Sequence, residues 1–359
     1  MSLALALGRR GLGNTWPNPA VGAVIVRDEG GGPVIVGRGW TQPGGRPHAE
    51  VEALRRAGDA ARGATMYVTL EPCSHHGKSP PCADAIVAAG IARVVAALED
   101  PNPEVSGRGH ARLRAAGIAV EVGLRAEEAQ RAHAGHLRRM REHRPQVTLK
   151  LAMSADRKVG AAGRRPVEIT GEAARARVHR MRAMNDAILI GIDTAIADDP
   201  ALTCRLPGME TFSPVRVVLD AYLRLPPGGA LAQSARAMPV WVVTGREASA
   251  QAAQTLRQQG VELLHAPAQA GRLDLAAVLE LLAGRGISRL MVEGGPTVAA
   301  SFVAADLVDE AALFRSAKVL GPDGIDALEG VSLDALTGRM TALGREPVGE
   351  DSVEFFARA

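Results

Sequence analysis

The sequence predicts a two-domain α/β protein, and three observations carry that expectation. Its 359 residues exceed what a single hydrophobic core usually organises. Short β-rich runs alternate with helix-patterned stretches, as they do where sheets are layered with helices. The alternation restarts after a basic stretch ending at Arg144, so the domains are expected over residues 1–144 and 145–359.

In the first series, Val21 to Val26, Val34 to Gly39, Met66 to Leu70 and Arg93 to Ala97 read as strands. Helices are expected from about His48 and from about Cys82, and Gly58, Gly63 and Gly90 fall at the turns. The second series has strands over Val147 to Met153, Ala187 to Gly191, Val215 to Leu219, Val240 to Thr244 and Leu290 to Glu293. Helices lie between them at Glu172 to Met184 and Ser249 to Gln259. Loops rich in Pro and Gly (Leu206 to Pro214, Pro226 to Gly229) interrupt this half, and no internal repeat is evident.

Composition excludes some functions. The chain is 47% hydrophobic and 23% charged, as globular proteins are. Its net charge of +3 comes from 42 basic and 39 acidic residues that are interleaved rather than blocked. Only Arg131 to Arg144 (RAHAGHLRRMREHR) approaches a basic cluster, and its helical spacing reads as a solvated linker helix rather than a nucleic-acid surface. Three cysteines make no disulfide framework, the first residues lack the apolar stretch of a secretory signal, and no apolar run reaches the length of a membrane span. A cytoplasmic protein is expected.

The chemistry is concentrated in two segments. PHAEVEALRRAG brings His48 and Glu50 to the start of a helix whose apolar positions are Val51 and Leu54. MYVTLEPC then delivers Cys73 at the end of a strand, and SPPCADAIVAAG delivers Cys82. One imidazole and two thiolates fill three corners of a zinc tetrahedron and leave the fourth for water. Zinc acidifies that water, and a neighbouring carboxylate takes its proton and returns it to a leaving amine, which is the part assigned to Glu50. The pattern H-x-E followed by P-C-x-x-C belongs to zinc deaminases. Here eight residues, His75 and His76 among them, separate Cys73 from Cys82. A structural zinc site closed by one of those histidines is the alternative, but it has no use for Glu50.

In the second half, RLMVEGGPTVAASF turns from a strand through Gly294, Gly295 and Pro296 into a helix near Thr297. Such a turn presents backbone N–H groups and a positive dipole end to phosphate, although many glycine turns serve packing alone.

With these residues in view, the whole chain resembles the bifunctional riboflavin biosynthesis family that joins a pyrimidine deaminase to a pyrimidine reductase. The matching stretches include NPAVGAVIV, GRPHAEVEAL, YVTLEPCSHHGKSPPC, DPNPEVSGRGHARLRAAGI, LKLAMSADRKV, AILIGIDTAIADDPALTCRLPG, RVVLD and VEGGPTVAASF. The resemblance implies a cytidine-deaminase-like three-layer first domain and a dihydrofolate-reductase-like second domain. It implies two reactions. Zinc-dependent hydrolysis would release ammonia from 2,5-diamino-6-(5-phosphoribosylamino)pyrimidin-4-one, and NADPH would then reduce the ribosylamino group to ribitylamino.

Carried over by position, Asn18 and Lys78 would contact the deaminase substrate, an amide pairing with the pyrimidine edge and an ammonium attracting phosphate. In the reductase half, Arg182, Leu202, Arg205 and Glu293 would contact substrate. Ala152, Thr194, Asp198, Gly295, Pro296, Thr297 and Val298 would contact NADPH. The chain departs from the family at Arg157, at Pro166 and Glu168, where Ser and Trp are usual, and at Ala221, where Ser is frequent. Contacts of Pro166 and Glu168 with the cofactor are therefore not expected. Cys204 reads as a buried, unreactive thiol.

The partner is then a small phosphorylated pyrimidine, neither nucleic acid nor membrane, and a homo-oligomer stays open. Two rival readings remain: a deaminase of nucleic-acid bases, against which stands an aromatic content of only 3%, and a deaminase carrying a non-catalytic second domain.

Overall fold

The computed structural model describes residues 1–75, 77, 79–164 and 167–358. The chain divides into two compact units, Met1–His143 and Arg144–Ala359.

Unit 1 is built on five strands in the order β2-β1-β3-β4-β5. Strands β1 (Gly22–Asp28) and β2 (Pro33–Trp40) form a hairpin, β3 (Thr65–Val68) runs antiparallel to β1, and β4 (Arg93–Ala96) and β5 (Ala119–Val122) continue parallel to β3. Helices α1 (Ser2–Gly8), α2 (Ala49–Ala57), α3 (Cys82–Ala88), α4 (Arg108–Ala115), α5 (Ala126–Ala132) and α6 (Ala134–Glu142) complete the unit. Helix α1 packs on β1 and against α5, while α2 packs on β1 and β2 and is followed by α3 and α4, giving helix, sheet and helix layers. Two strand glycines allow the helices this close: a Cβ on Gly22 would lie 1.9 Å from the Ala4 carbonyl oxygen, and one on Gly39 2.3 Å from that of Ala49. Ala23, Ile25, Met66, Val68, Val94 and Leu113 are at the centre of the core.

The basic run 131–144 is not the solvated linker helix expected. It forms the end of α5 and all of α6, and it faces inward through His133 and His136, both buried. His133 Nε2 lies 3.0 Å from Thr69 Oγ1, and His136 Nε2 lies 3.0 Å from Asp100 Oδ1. Burial drives the His133 imidazole down to about 3. Charge counting missed this because the two histidines occupy the inner face of a helix whose outer face carries the arginines.

Unit 2 holds nine strands in the order β11-β10-β9-β8-β14-β6-β15-β18-β17. They are β6 (Gln146–Met153), β8 (Ala187–Gly191), β9 (Val215–Leu219), β10 (Val240–Thr244), β11 (Glu262–His265), β14 (Arg289–Val292), β15 (Glu310–Arg315), β17 (Thr341–Val348) and β18 (Asp351–Ala357). The first seven in spatial order are parallel, and β18 and β17 close the sheet as an antiparallel hairpin. Two short ladders lie outside the sheet, β7 (Lys158–Gly160) with β16 (Ile325–Asp326) and β12 (Ala268–Gln269) with β13 (Arg272–Leu273). Helices α7 (Glu172–Ala183), α8 (Ile192–Asp198), α9 (Ala230–Gln233), α10 (Ala250–Gln258), α11 (Leu275–Gly284), α12 (Pro296–Ala304) and α13 (Leu333–Thr337) provide most of the crossovers. Strands β8 and β10 are buried along their whole length, as covered parallel strands are, whereas β17 is exposed at seven of its eight positions. Among the described residues, no helix is long and apolar enough to cross a membrane.

Candidate active sites

Unit 1 gathers its donors from three elements. His48 caps α2 in an extended conformation directly after Pro47, which halts any earlier helix. Glu50 is the second residue of α2 and only 3% exposed. Cys73 lies in the turn after β3, and Cys82 opens α3 behind Pro81. His48 Nδ1 lies 3.2 Å from Cys82 Sγ and 3.6 Å from Cys73 Sγ, and the backbone N–H of Cys82 donates to Cys73 Sγ at 3.3 Å. A tetrahedron with zinc–sulfur bonds of about 2.3 Å and zinc–nitrogen bonds of about 2.0 Å has edges of about 3.6 Å. The three donors therefore fit zinc.

The electrostatics agree with that fit. The hydrogen-bonded Cys82 side chain holds the Cys73 thiol down at about 4, while the same contact, aided by burial, pushes the Cys82 thiol up. Burial raises the Glu50 carboxyl to about 7 against the opposing pull of His48. A carboxyl near neutrality is suited to giving and taking protons at physiological pH.

Asn18 reaches the same place, its Nδ2 donating to the Gly45 carbonyl oxygen at 2.8 Å and lying 3.3 Å from His48 Nε2. Lys78 and His76 lie outside the described residues, and His75 is exposed. Arg46, which sequence reasoning passed over, donates to Ser79 Oγ at 2.5 Å and so adds a guanidinium to the same loop.

In unit 2 a cavity of about 420 Å³ opens at the carboxyl ends of β6, β8 and β14, where open α/β sheets bind ligands. Ala152, Arg182, Thr194, Asp198, Leu202, Glu293 and Gly295 to Val298 all line it. Arg205 does not line it: its side chain is exposed, and its backbone N–H reaches His179 Nδ1 at 3.4 Å. Arg182 grips Glu293 with two bonds, Nε to Oε1 at 2.7 Å and Nη2 to Oε2 at 2.9 Å, and Lys150 Nζ stands 3.7 Å from the same Oε2. Burial alone would raise the Glu293 carboxyl, but Arg182 and Lys150 outweigh it and hold the group below the usual range. Burial lowers the Lys150 ammonium despite Glu293, and burial raises the Asp198 carboxyl.

Sequence reasoning missed Lys150, although it lies within a quoted stretch. In LKLAM it reads as the outward residue of a half-buried strand, yet β6 has strands on both sides and its lysine points into the cleft.

The turn that brings Leu202 to the cleft is strained, with Asp199 at φ 39° and Leu202 at φ 55°, a region that non-glycine residues rarely enter. Across from it, the Gly295 N–H donates to Thr194 Oγ1 at 3.0 Å, and a Cβ on Gly295 would lie 2.8 Å from that oxygen. Gly295 caps the nine-residue helix α12, with Pro296 as its first residue. That end therefore suits phosphate, which is the fit that NADPH needs. Glu168 lines the cleft and pairs with Arg175. Pro166 lies outside the described residues. Ala221 lines a second cavity of about 520 Å³, with Tyr222, Arg246 and His265, past the ends of β9, β10 and β11. Cys204 is buried.

A trio of zinc-ligand donors beside a near-neutral carboxyl, and a second cleft at the amino end of α12 with a half-buried lysine, fit a two-headed enzyme, a deaminase followed by a dinucleotide-dependent reductase. Residues 1–98 match the cytidine and deoxycytidylate deaminase zinc-binding region, and residues 145–353 match the RibD C-terminal domain. Among curated relatives, the riboflavin biosynthesis protein RibD of Escherichia coli is 43% identical, over 92% of this chain and 91% of its own. RibD of Acinetobacter baumannii superposes with a TM-score of 0.88 at 36% identity, covering 100% of this chain and 97% of its own. The deaminase/5-amino-6-(5-phosphoribosylamino)uracil reductase of Thermotoga maritima does so with a TM-score of 0.85 at 33% identity, with the same coverage. The chain belongs to the RibD family.

Proposed function

We propose that the chain catalyses two successive steps of riboflavin biosynthesis. Residues 1–144 remove the 2-amino group of 2,5-diamino-6-(5-phosphoribosylamino)pyrimidin-4-one by hydrolysis, and residues 145–359 reduce the ribosylamino group of the product to ribitylamino. The observation that carries the reading is the convergence of His48, Cys73, Cys82 and the buried Glu50 in a chain that also holds the Lys150–Glu293–Arg182 cleft.

Zinc, held by His48 Nδ1 and the two Sγ atoms, supplies the Lewis acidity that makes water a nucleophile near neutral pH. Glu50 moves the protons, one Oε taking a proton from the attacking water and returning it to the departing amine. Asn18, fixed by Gly45, presents its amide to the pyrimidine edge, and Lys78 attracts the phosphate.

In the reductase cleft, NADPH supplies the hydride. Gly295, Pro296, Thr297 and Val298 take its phosphates at the amino end of α12, with Thr194 and Ala152 alongside. Burial makes the Asp198 carboxyl less readily charged, which softens its repulsion of a phosphorylated ligand. Reduction of the open imine also needs a proton, and Lys150, made more acidic by burial, donates it. Arg182 and Glu293 orient the substrate beside Leu202, and Arg205, exposed and outside the lining of the cleft, reaches for its phosphate.

The substrate is a small molecule rather than a nucleic acid, a reading supported by two of the three arginines of α6 being engaged within unit 1: Arg138 with Glu142 at 2.7 Å and Arg139 with the Pro17 carbonyl oxygen at 2.8 Å. The test is an assay of ammonia release from the phosphoribosylaminopyrimidine, followed by NADPH oxidation on the deaminated product. Ammonia released only from an oligonucleotide, or no saturable NADPH binding, would overturn the proposal.

A further inference from the structure

Glu71, two residues before Cys73, is only 3% exposed, and its carboxylate is saturated by backbone donors. Oε1 accepts from the N–H of Gly109 at 2.9 Å and of His110 at 3.1 Å, and Oε2 accepts from Gly107 at 3.0 Å and Asp100 at 3.2 Å. All four donors belong to the stretch 100–110, and three of them open α4, so the anion sits at the positive end of that helix. The next residue is held by contact: a Cβ on Gly109 would lie 2.0 Å from the Pro72 carbonyl oxygen. Thr69 ties the other end of the turn, accepting from the Gly22 N–H at 3.1 Å and meeting His133 Nε2 at 3.0 Å. Beyond the turn, the Cys73 carbonyl accepts from the Ala83 N–H at 3.2 Å, and its Sγ from the Cys82 N–H at 3.3 Å.

We propose that Glu71 is a positioning residue for the deaminase centre: its four backbone bonds, three of them to the start of α4, lock the turn that presents Cys73 to the metal. The proposal rests on the zinc reading above. Zinc–thiolate bonds tolerate only about 0.2 Å of error, so a turn free to move by more than that would weaken the site. Charge-assisted bonds to an ionised acceptor are the strong kind, and four of them converge here. Glu71, Glu99 and His110 also lie close enough together to suggest a second cation site. The geometry argues against it, because both Glu71 oxygens already accept two N–H groups each.

The amide of Glu71→Gln keeps one accepting oxygen and turns an NH2 group toward backbone donors, so the lock opens with little change in volume. In the full-length protein, stripped of metal and reloaded with Co2+, the thiolate charge-transfer and d–d bands report the ligand geometry directly. Competition with a chelator gives the affinity for Zn2+. Glu71→Gln is expected to shift the cobalt bands and weaken zinc binding roughly 10–100-fold. Glu71→Asp, which keeps the charge on a shorter arm, shifts them less and in the same direction. Glu99→Gln, at the exposed neighbour that accepts from Ser106 Oγ at 2.9 Å, leaves both readings in place.

Unchanged cobalt bands and zinc affinity in folded Glu71→Gln or Glu71→Asp protein, with only a lower melting temperature, would reduce Glu71 to a structural residue and overturn the proposal. Two zinc equivalents in the wild type and one in Glu71→Gln would overturn it differently, by making Glu71 a ligand. A wild-type chain that binds no zinc would sink the underlying metal reading instead.

Discussion

Both units bury a glutamate at the heart of the site, and the two carboxyls move in opposite directions. Around Glu50 stand an imidazole and two thiols, and burial lifts the acid to about 7. Around Glu293 stand Arg182 and Lys150, which outweigh a comparable burial and keep it ionised. Burial penalises the charged form of both carboxyls, and the neighbouring charge decides whether that penalty is outweighed. One surrounding suits a carrier of protons, the other a fixed anion held between two cations.

The largest effect should come from removing the carrier. Glu50→Gln is expected to lower the deaminase kcat by about 10²–10⁴-fold while zinc content, measured by atomic absorption, and reduction of the deaminated intermediate stay unchanged. Loss of zinc from that variant would mean that Glu50 is itself a ligand and that the comparison is drawn wrongly.

Glu293→Gln strikes the fixed anion, leaving Arg182 and Lys150 facing each other without a counter-charge. Breaking a buried pair in this way costs about 3–5 kcal/mol. Urea unfolding followed at Trp241 should register that loss, together with a failing reductase, while ammonia release proceeds normally.

A smaller difference separates the two units in acid. His133 titrates near 3 when folded and near 6.5 when free, so below pH 6.5 the unfolded chain takes up a proton that the folded one refuses. His133 therefore subtracts on the order of 1 kcal/mol per pH unit from unit 1 between pH 6.5 and 3, while the Glu50 carboxyl, raised from 4.5 to about 7, works the other way between pH 7 and 4.5. The Glu293 carboxyl is lowered, so its contribution to unit 2 is present above its free value of 4.5 and fades only below that. With Glu50→Gln, which removes the opposing carboxyl, the stability of unit 1 read from Trp16 and Trp40 in a Trp241→Phe chain should fall more steeply from pH 7 to pH 5.5 than with Glu50 in place. An unchanged slope would refute the raised Glu50 carboxyl on which the comparison rests.

The smallest effect is assigned to Arg205→Ala. Because Arg205 is exposed and off the cleft, the reductase KM should rise only a few-fold, as for a surface charge contact worth up to about 1 kcal/mol, with deamination untouched.

How much of each site can be read from sequence follows the same divide. The donors of unit 1 fall within 35 residues, from His48 to Cys82, and each residue type has few other reasons to sit beside the others at that spacing. The unit 2 cleft draws on β6, α7, the strained turn at Asp199 to Leu202 and the β14–α12 turn, which are far apart in the chain. Resemblance rather than local pattern brings those residues forward, and Lys150 escapes because alternation alone does not tell a central strand from a half-exposed one. The main strands are legible for the opposite reason: β8 and β10 are unbroken apolar runs. Strand β17 is not, since TALGREPV has no buried face to impose a period of two.

That same strand bears on solubility. As the outermost member of a nine-stranded sheet, β17 leaves one row of backbone groups for another chain to pair with, and such an edge is a template for aggregation. Arg345, Glu346 and Pro347 stand along it, two charges and a residue with no N–H to give. They act as gatekeepers, and a chain carrying Val or Thr in their place should remain folded yet turn cloudy on concentration.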